Sequence, residues 1–433
     1  MTPRGVCIET GANCPKAGDK MQELIALFSR MVEIGASDLH LQEGTKPYFR
    51  VHGMLSMFEE GPLIDHTFMD RAQKYLFGEY ETRQFEMRKC SDFAHVLSEI
   101  GRLRVSFFTQ SNKWGGVFRL IPEILPSFEE LGLPEIVRTI SKFPRGLVLV
   151  VGPTGSGKTT TLATMLDWIN HNRNVHILTL EDPIEYKHVN INCLVNQREV
   201  GRDVMSFLDG IREGLRQDPD VILVGEMRDL ETTAMALMAA ETGHLVFATL
   251  HTSGAADTID RIIDIFPANQ QSQIRTQLAL SLRAVISQVL VRRIDRAGRV
   301  AIFEVMLMTN SIRNLIREQK VHQIDHVIQS GRKQGMITLE HNIAQLIEQG
   351  IINRAVGVEL ANDPDDLLEA LLQDSAREKE RKKREEADLM AARQDFSGVG
   401  YDLGKAARRE GERDKRIGQH PRPIEQPERK NPS

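Results

Sequence analysis

The stretch GLVLVVGPTGSGKT, residues 146 to 159, constrains the fold of this 433-residue chain more than any other. A short apolar run leads into a glycine-rich loop, and TTTLATMLDWI continues with helical periodicity. The pattern G-x-x-x-x-G-K-[ST] is met by Gly152, Gly157, Lys158 and Thr159. In such a loop the glycines let successive backbone N–H groups turn inward on phosphate oxygens at a helix N-terminus. The lysine reaches the β- and γ-phosphates, and the threonine hydroxyl ligates Mg2+. The expected nucleotide-binding set is Gly152, Pro153, Thr154, Gly155, Ser156, Gly157, Lys158, Thr159 and Thr160, with ATP and Mg2+ as cofactors.

A strand, loop and helix of this kind belong in a parallel sheet covered on both faces, and further apolar runs supply its other strands. VHILTL (175 to 180), VILV (221 to 224) and LVFATL (245 to 250) alternate with helical stretches, which predicts a doubly covered α/β core. Helical patterns are expected over 268 to 290 and most of 309 to 372. Ahead of this core, MQELIALFSRMVEIGASDLHL reads as helix then strand. KPYFRVHGML, GRLRVSFFTQ and GGVFRLIP alternate like half-buried strands, giving a small α+β domain over 21 to 122. Residues 123 to 134, with Pro126 and Pro134, read as a linker, and the core runs from 135 to 372. Residues 1 to 20 are expected to be a disordered leader, and 373 to 433, highly charged and poor in aromatics, a largely disordered tail.

Charge and cysteine usage exclude several classes. The formal net charge of −5 argues against wholesale nucleic-acid binding, for which only the tail is notably basic. The longest apolar runs fall well short of the roughly 20 residues that cross a bilayer, so membrane contact is expected to be peripheral. Cys7, Cys14, Cys90 and Cys193 form no metal-binding spacing and read as idle thiols of a reducing compartment.

A phosphate loop needs acidic partners, and two sets lie at strand ends. LEDPIEY carries Glu181, Asp182 and Glu185, and VILVGEMRD carries Glu226, the first candidate for orienting the attacking water or holding Mg2+ through water. The aspartate commonly found before such a glutamate is replaced by Gly225. His244 and His251 flank a strand in TGHLVFATLHT, and either could donate a hydrogen bond to a γ-phosphate. Charge developing on the transferred phosphoryl must be neutralised, often by an arginine from a neighbouring subunit. Candidates for that role in trans are Arg102, Arg104 and Arg119, with Arg212, Arg216 and Arg228 nearer the acidic strands.

The four stretches GPTGSGKTTTLATMLDWIN, ILTLEDPIEY, RQDPDVILVGEMRD and AAETGHLVFATLHT resemble the Walker A, Asp-box, Walker B and His-box motifs of the type II/IV secretion ATPases. Within these the chain is most similar to the type IV pilus retraction ATPases, the PilT family, over residues 21 to 372, including ASDLHL of that family's PAS-like domain. The resemblance implies a homohexameric ring of PAS-like and RecA-like domains at the cytoplasmic face of the inner membrane. It also implies ATP between the two domains, clamped by arginines of the smaller one. Glu185, Glu226 and His251 fall on positions linked to catalysis, and Gly225 fits the family's own Walker B. Where many relatives carry an arginine shortly after F-x-x-Q, this chain has Ser111, Asn112 and Lys113.

SIRNLIRE at 311 to 318 resembles the retraction motif written AIRNLIRE. Its spacing puts Ile312, Leu315 and Ile316 on one helix face, with Arg313 and Arg317 elsewhere, available to an acidic partner. An inner-membrane platform protein and a paralogous retraction ATPase are the partners the resemblance implies. Alternative readings are an assembly or type II secretion ATPase, an accessory ring component with little turnover of its own, and a nucleic-acid translocase. Against an assembly ATPase, residues 252 to 310 contain no cysteine that could form the metal insertion common in those relatives.

Overall fold

The computed structural model describes residues 21–51, 53–98, 100–121 and 124–372; the expected leader and tail lie outside them. Packing divides the chain into two units, Met1–Leu368 and Glu369–Ser433. The first unit is built on two sheets.

The first sheet contains β1 (Asp38–Gln42), β2 (Tyr48–Val51), β3 (Met54–Met57), β4 (Cys90–Leu97), β5 (Gly101–Gln110) and β6 (Lys113–Ile121), in the order β3-β2-β1-β6-β5-β4. Every neighbouring pair is antiparallel. Alternation along β5 buries Leu103, Val105 and Phe107 on one face and turns Arg102 and Arg104 to the other. The apolar face is covered by the helix Gln22–Glu33, whose Leu24, Leu27, Phe28 and Met31 are buried at the spacing read from the sequence. Phe28 meets Phe118 edge to face at 5.2 Å, a geometry worth about 1 kcal/mol beyond the area it buries. Ser111 and Asn112, the departure from the family pattern, form the two-residue turn between β5 and β6, both with positive φ. Such turns match the twist of the flanking strands.

The second sheet contains β7 (Gly146–Val151), β8 (His176–Glu181), β9 (Leu194–Glu199), β10 (Val221–Val224), β11 (Leu245–Leu250), β12 (Leu282–Arg292) and β13 (Arg299–Leu307). Their order is β13-β12-β7-β11-β10-β8-β9, parallel throughout except for β13 against β12. Strands β7, β10 and β11 are buried along their whole length, which explains their unbroken apolar sequences. One apolar cluster lies on each face of this sheet.

One expectation is corrected. The helical pattern assigned to 268–290 ends at Ser281; Leu282 is already extended, and the chain continues as the longest strand of the sheet. The stretch 124–134 contains the short helix Phe128–Leu131, held by reciprocal Ser127 and Glu130 capping contacts, and it buries Phe128 in a core cluster of the second sheet.

Because the strands are parallel, the C-terminal ends of β7, β8, β10 and β11 share one edge of the sheet, and the loops that leave them face one another. In open α/β sheets that edge is where ligands bind.

Candidate active site

The loop that follows β7 delivers Lys158 to the first turn of the helix Lys158–Asn172. Gly152, with φ of 144°, packs so closely on β12 that an added Cβ would collide with the Gln288 carbonyl oxygen. Gln288 Nε2 also donates to the Ser156 carbonyl at 2.6 Å, so β12 braces the loop from below. Lys158 Nζ donates to the carbonyls of Gly152 at 2.7 Å and Pro153 at 2.9 Å. Burial pulls the pKa of this ammonium group below its ordinary value, and the Glu226 charge opposes that shift.

Glu226, one residue beyond the Gly225 that leaves β10, is the centre of a chain of polar groups. Its Oε1 lies 3.2 Å from His251 Nε2 and 2.7 Å from Arg228 Nε. His251 Nδ1 lies 3.4 Å from Lys158 Nζ and 3.5 Å from Thr154 Oγ1. Partial burial alone would raise the Glu226 carboxyl pKa; the hydrogen bond and charge of Arg228, with His251, outweigh it and hold the group below the ordinary range. The absence of an aspartate before Glu226 has a packing reason. A Cβ at Gly225 would sit 3.0 Å from the Leu180 carbonyl oxygen and 3.3 Å from the Phe207 ring.

The Asp box occupies the next strand end. Glu181 is buried, accepts hydrogen bonds from Thr179 Oγ1 at 2.7 Å and Gln197 Nε2 at 3.1 Å, and is pushed up in pKa by burial. Both bonds are to Oε1 and tie the carboxylate to β8 and β9. Glu185 is more open and pairs with Arg104 Nη1 at 3.3 Å. Tyr186, which sequence reasoning did not single out, reaches back to Thr160, hydroxyl to hydroxyl at 3.1 Å.

The remaining candidates separate. Arg102 donates from Nε and Nη2 to the Ile184 carbonyl at 3.1 and 2.5 Å. Within the single chain described, Arg102 and Arg104, the candidates for a role in trans, contact Ile184 and Glu185 of the Asp box. Arg119 shares their sheet face, opposite Arg104 in register, but is bound to Asp38 at 2.7 Å. His244 is corrected outright. It precedes β11, so it lies at the edge of the sheet opposite the phosphate loop, with Nδ1 2.9 Å from the Ala239 carbonyl. Arg212 and Arg216 are exposed in the segment that leads to the start of β10 and take no ion pair among the described residues. Arg313 and Arg317 lie on the helix Asn310–Arg317, which follows β13 at that same far edge; Ile312 and Ile316 are fully buried, and Arg313 Nε donates to the Ala279 carbonyl at 3.2 Å.

Comparison with known proteins identifies the family of the chain. The family model described as "Type II/IV secretion system protein" matches residues 18–369. The type IV pilus retraction ATPase PilT of Pseudomonas aeruginosa is 48% identical over 343 residues, covering 79% of this chain and 98% of that protein. A twitching motility protein of Neisseria gonorrhoeae is 46% identical over 314 residues, 71% of this chain and 82% of its own length. A crystal structure of the pilus retraction motor PilT with bound ADP superposes with a TM-score of 0.73 at 42% identity, over 80% of this chain and 99% of that one. No helix among the described residues is long and apolar enough to cross a membrane. The chain belongs to the type II/IV secretion system protein family and, within it, to the PilT family of retraction ATPases.

Proposed function

We propose that this chain is the ATP-hydrolysing motor of type IV pilus retraction, working as a homohexamer at the cytoplasmic face of the inner membrane against a pilus platform protein, with a paralogous retraction ATPase as a further partner. The observation that carries the reading is the convergence of Lys158, His251 and Glu226 at one sheet edge, combined with the basic helix Asn310–Arg317 at the other.

Lys158 and the loop N–H groups bind and orient the phosphates. Glu226, kept ionised by Arg228, accepts a proton from the attacking water, and His251 spans the distance between that carboxylate and the phosphate loop. Arg102 and Arg104, on the same sheet face, bring positive charge to the Asp box beside Glu185. Mg2+ fits the donors present. The Thr159 hydroxyl has no hydrogen-bond partner among the described residues, and these contain no group of three or more His, Cys, Asp or Glu placed to hold a metal ion. That donor set suits an ion that keeps its waters and takes phosphate oxygens, with Thr159 as direct ligand and Glu226 acting through water. When bound, it neutralises charge on the phosphates.

Hydrolysis would open and close subunit contacts, and the helix Asn310–Arg317 would pass that motion to the partner. Lys158→Ala is expected to abolish both ATP turnover by the purified protein and retraction in cells. Turnover persisting at more than about a tenth of the parent rate, when one charge-neutralising contact is worth roughly 10²- to 10³-fold, would count against the assignment.

A further inference from the structure

His251 leaves β11 on a short bend that becomes the helix Ala255–Asp264, and this bend is gripped from one side by the β12–β13 hairpin. Ser287 of β12 and Glu304 of β13 stand directly opposite each other in the hairpin register. The Ser287 hydroxyl donates to the Ser253 carbonyl at 3.0 Å, and Glu304 Oε1 accepts the Ala255 N–H at 2.7 Å. Thr258 closes the bend by donating to the Gly254 carbonyl at 2.5 Å and meeting the Thr252 hydroxyl at 2.7 Å. The residue after Ser287 is Gln288, which braces the phosphate loop, so adjacent positions of one strand hold both halves of the active site.

A carboxyl group is an expensive choice at position 304. The residue is 6% exposed, and its charged form loses hydration there. The groups facing it are acidic as well: Asp257 on the helix Ala255–Asp264, Asp325 on Ile324–Ser330 and Glu340 on Leu339–Glu348. Burial, reinforced by these three, pushes its pKa to about 7 although the Ala255 N–H favours the ionised form. A leucine would fill the same volume without that cost. What only an acceptor supplies is a hold on the first N–H groups of a helix, and an ionised carboxylate is the strongest such acceptor.

We propose that Ser287 and Glu304 are positioning residues for ATP hydrolysis, fixing the Ser253–Ala255 backbone so that the His251 imidazole stays between Lys158 and Glu226. Their side-chain hydrogen bonds go to the His251 bend and not to the nucleotide loop. The same strand reaches the helix Asn310–Arg317 six residues after Glu304, so the His251 bend and the basic helix are anchored on one element.

The test is steady-state ATPase kinetics of the full-length protein across pH 5.5 to 8.5. Glu304→Leu, which keeps volume and removes the acceptor, is expected to lower kcat at least tenfold while KM for ATP stays within about twofold; Glu304→Gln, which restores an acceptor, should recover at least half of the parental kcat at pH 7. The parent's kcat should rise with pH through about 7 as the carboxyl ionises, and Glu304→Gln should lose that limb. A folded Glu304→Leu protein with kcat within twofold of parent overturns the proposal. So does an unchanged pH limb in Glu304→Gln, which decides the matter even if the leucine variant fails to fold.

Discussion

At the scale of single residues, the site is organised by Glu226. Its carboxylate touches His251 on one side and Arg228 on the other, and Arg228 keeps it ionised without blocking both oxygens. Glu226→Gln preserves shape and removes the base, so kcat should fall about 10²- to 10³-fold with ATP affinity changed by less than about threefold. Single-turnover hydrolysis alongside nucleotide binding measures both. The phosphate loop, Glu226 and His251 were legible in the sequence because each sits within a few residues of a strand end and belongs to a local pattern. His244 looked equally eligible. A parallel strand rising about 3.3 Å per residue carries it some 20 Å from its companion histidine. Gln288, Ser287 and Glu304 left no such trace: they lie within strands far along the chain, and only the register of β12 with β7 and β13 brings them to the loops.

At the scale of elements, the four parallel strands and the helix after the phosphate loop followed directly from apolar runs and glycine punctuation. β12 did not. Helix Ala268–Ser281 passes into it with no glycine or proline between Ser281 and Arg292, so nothing local marks the change from a period of 3.6 to one of 2. β9, Leu194–Glu199, was also invisible, being mostly polar at the sheet edge. The helix Asn310–Arg317 shows the opposite case, where periodicity named the buried face correctly. Ile316 is fully buried there while Arg317 is exposed. Ile316→Ala should therefore destabilise the protein by about 2–5 kcal/mol through lost burial and a residual cavity. Arg317→Ala should cost less than about 0.5 kcal/mol and yet stop retraction. Thermal unfolding of the two proteins, compared with retraction in cells carrying them, distinguishes a packing face from a docking face.

At the scale of the whole molecule, the two sheets meet through Arg102 and Arg104 on the Asp box and through Arg202 on Glu81 at 2.6 Å. Composition and spacing name these arginines as candidates, and the fold places Arg102 and Arg104 beside the Asp box within one chain. The nucleotide loops and the basic helix occupy opposite edges of one sheet, which suits a machine that hydrolyses ATP at one end and engages a partner at the other. The most direct test of a retraction motor is the surface pilus count and retraction frequency of cells lacking this chain. Such cells should carry more pili than the parent and show no retraction events, with both restored by the intact gene. Bald cells would contradict retraction and identify a motor of assembly instead.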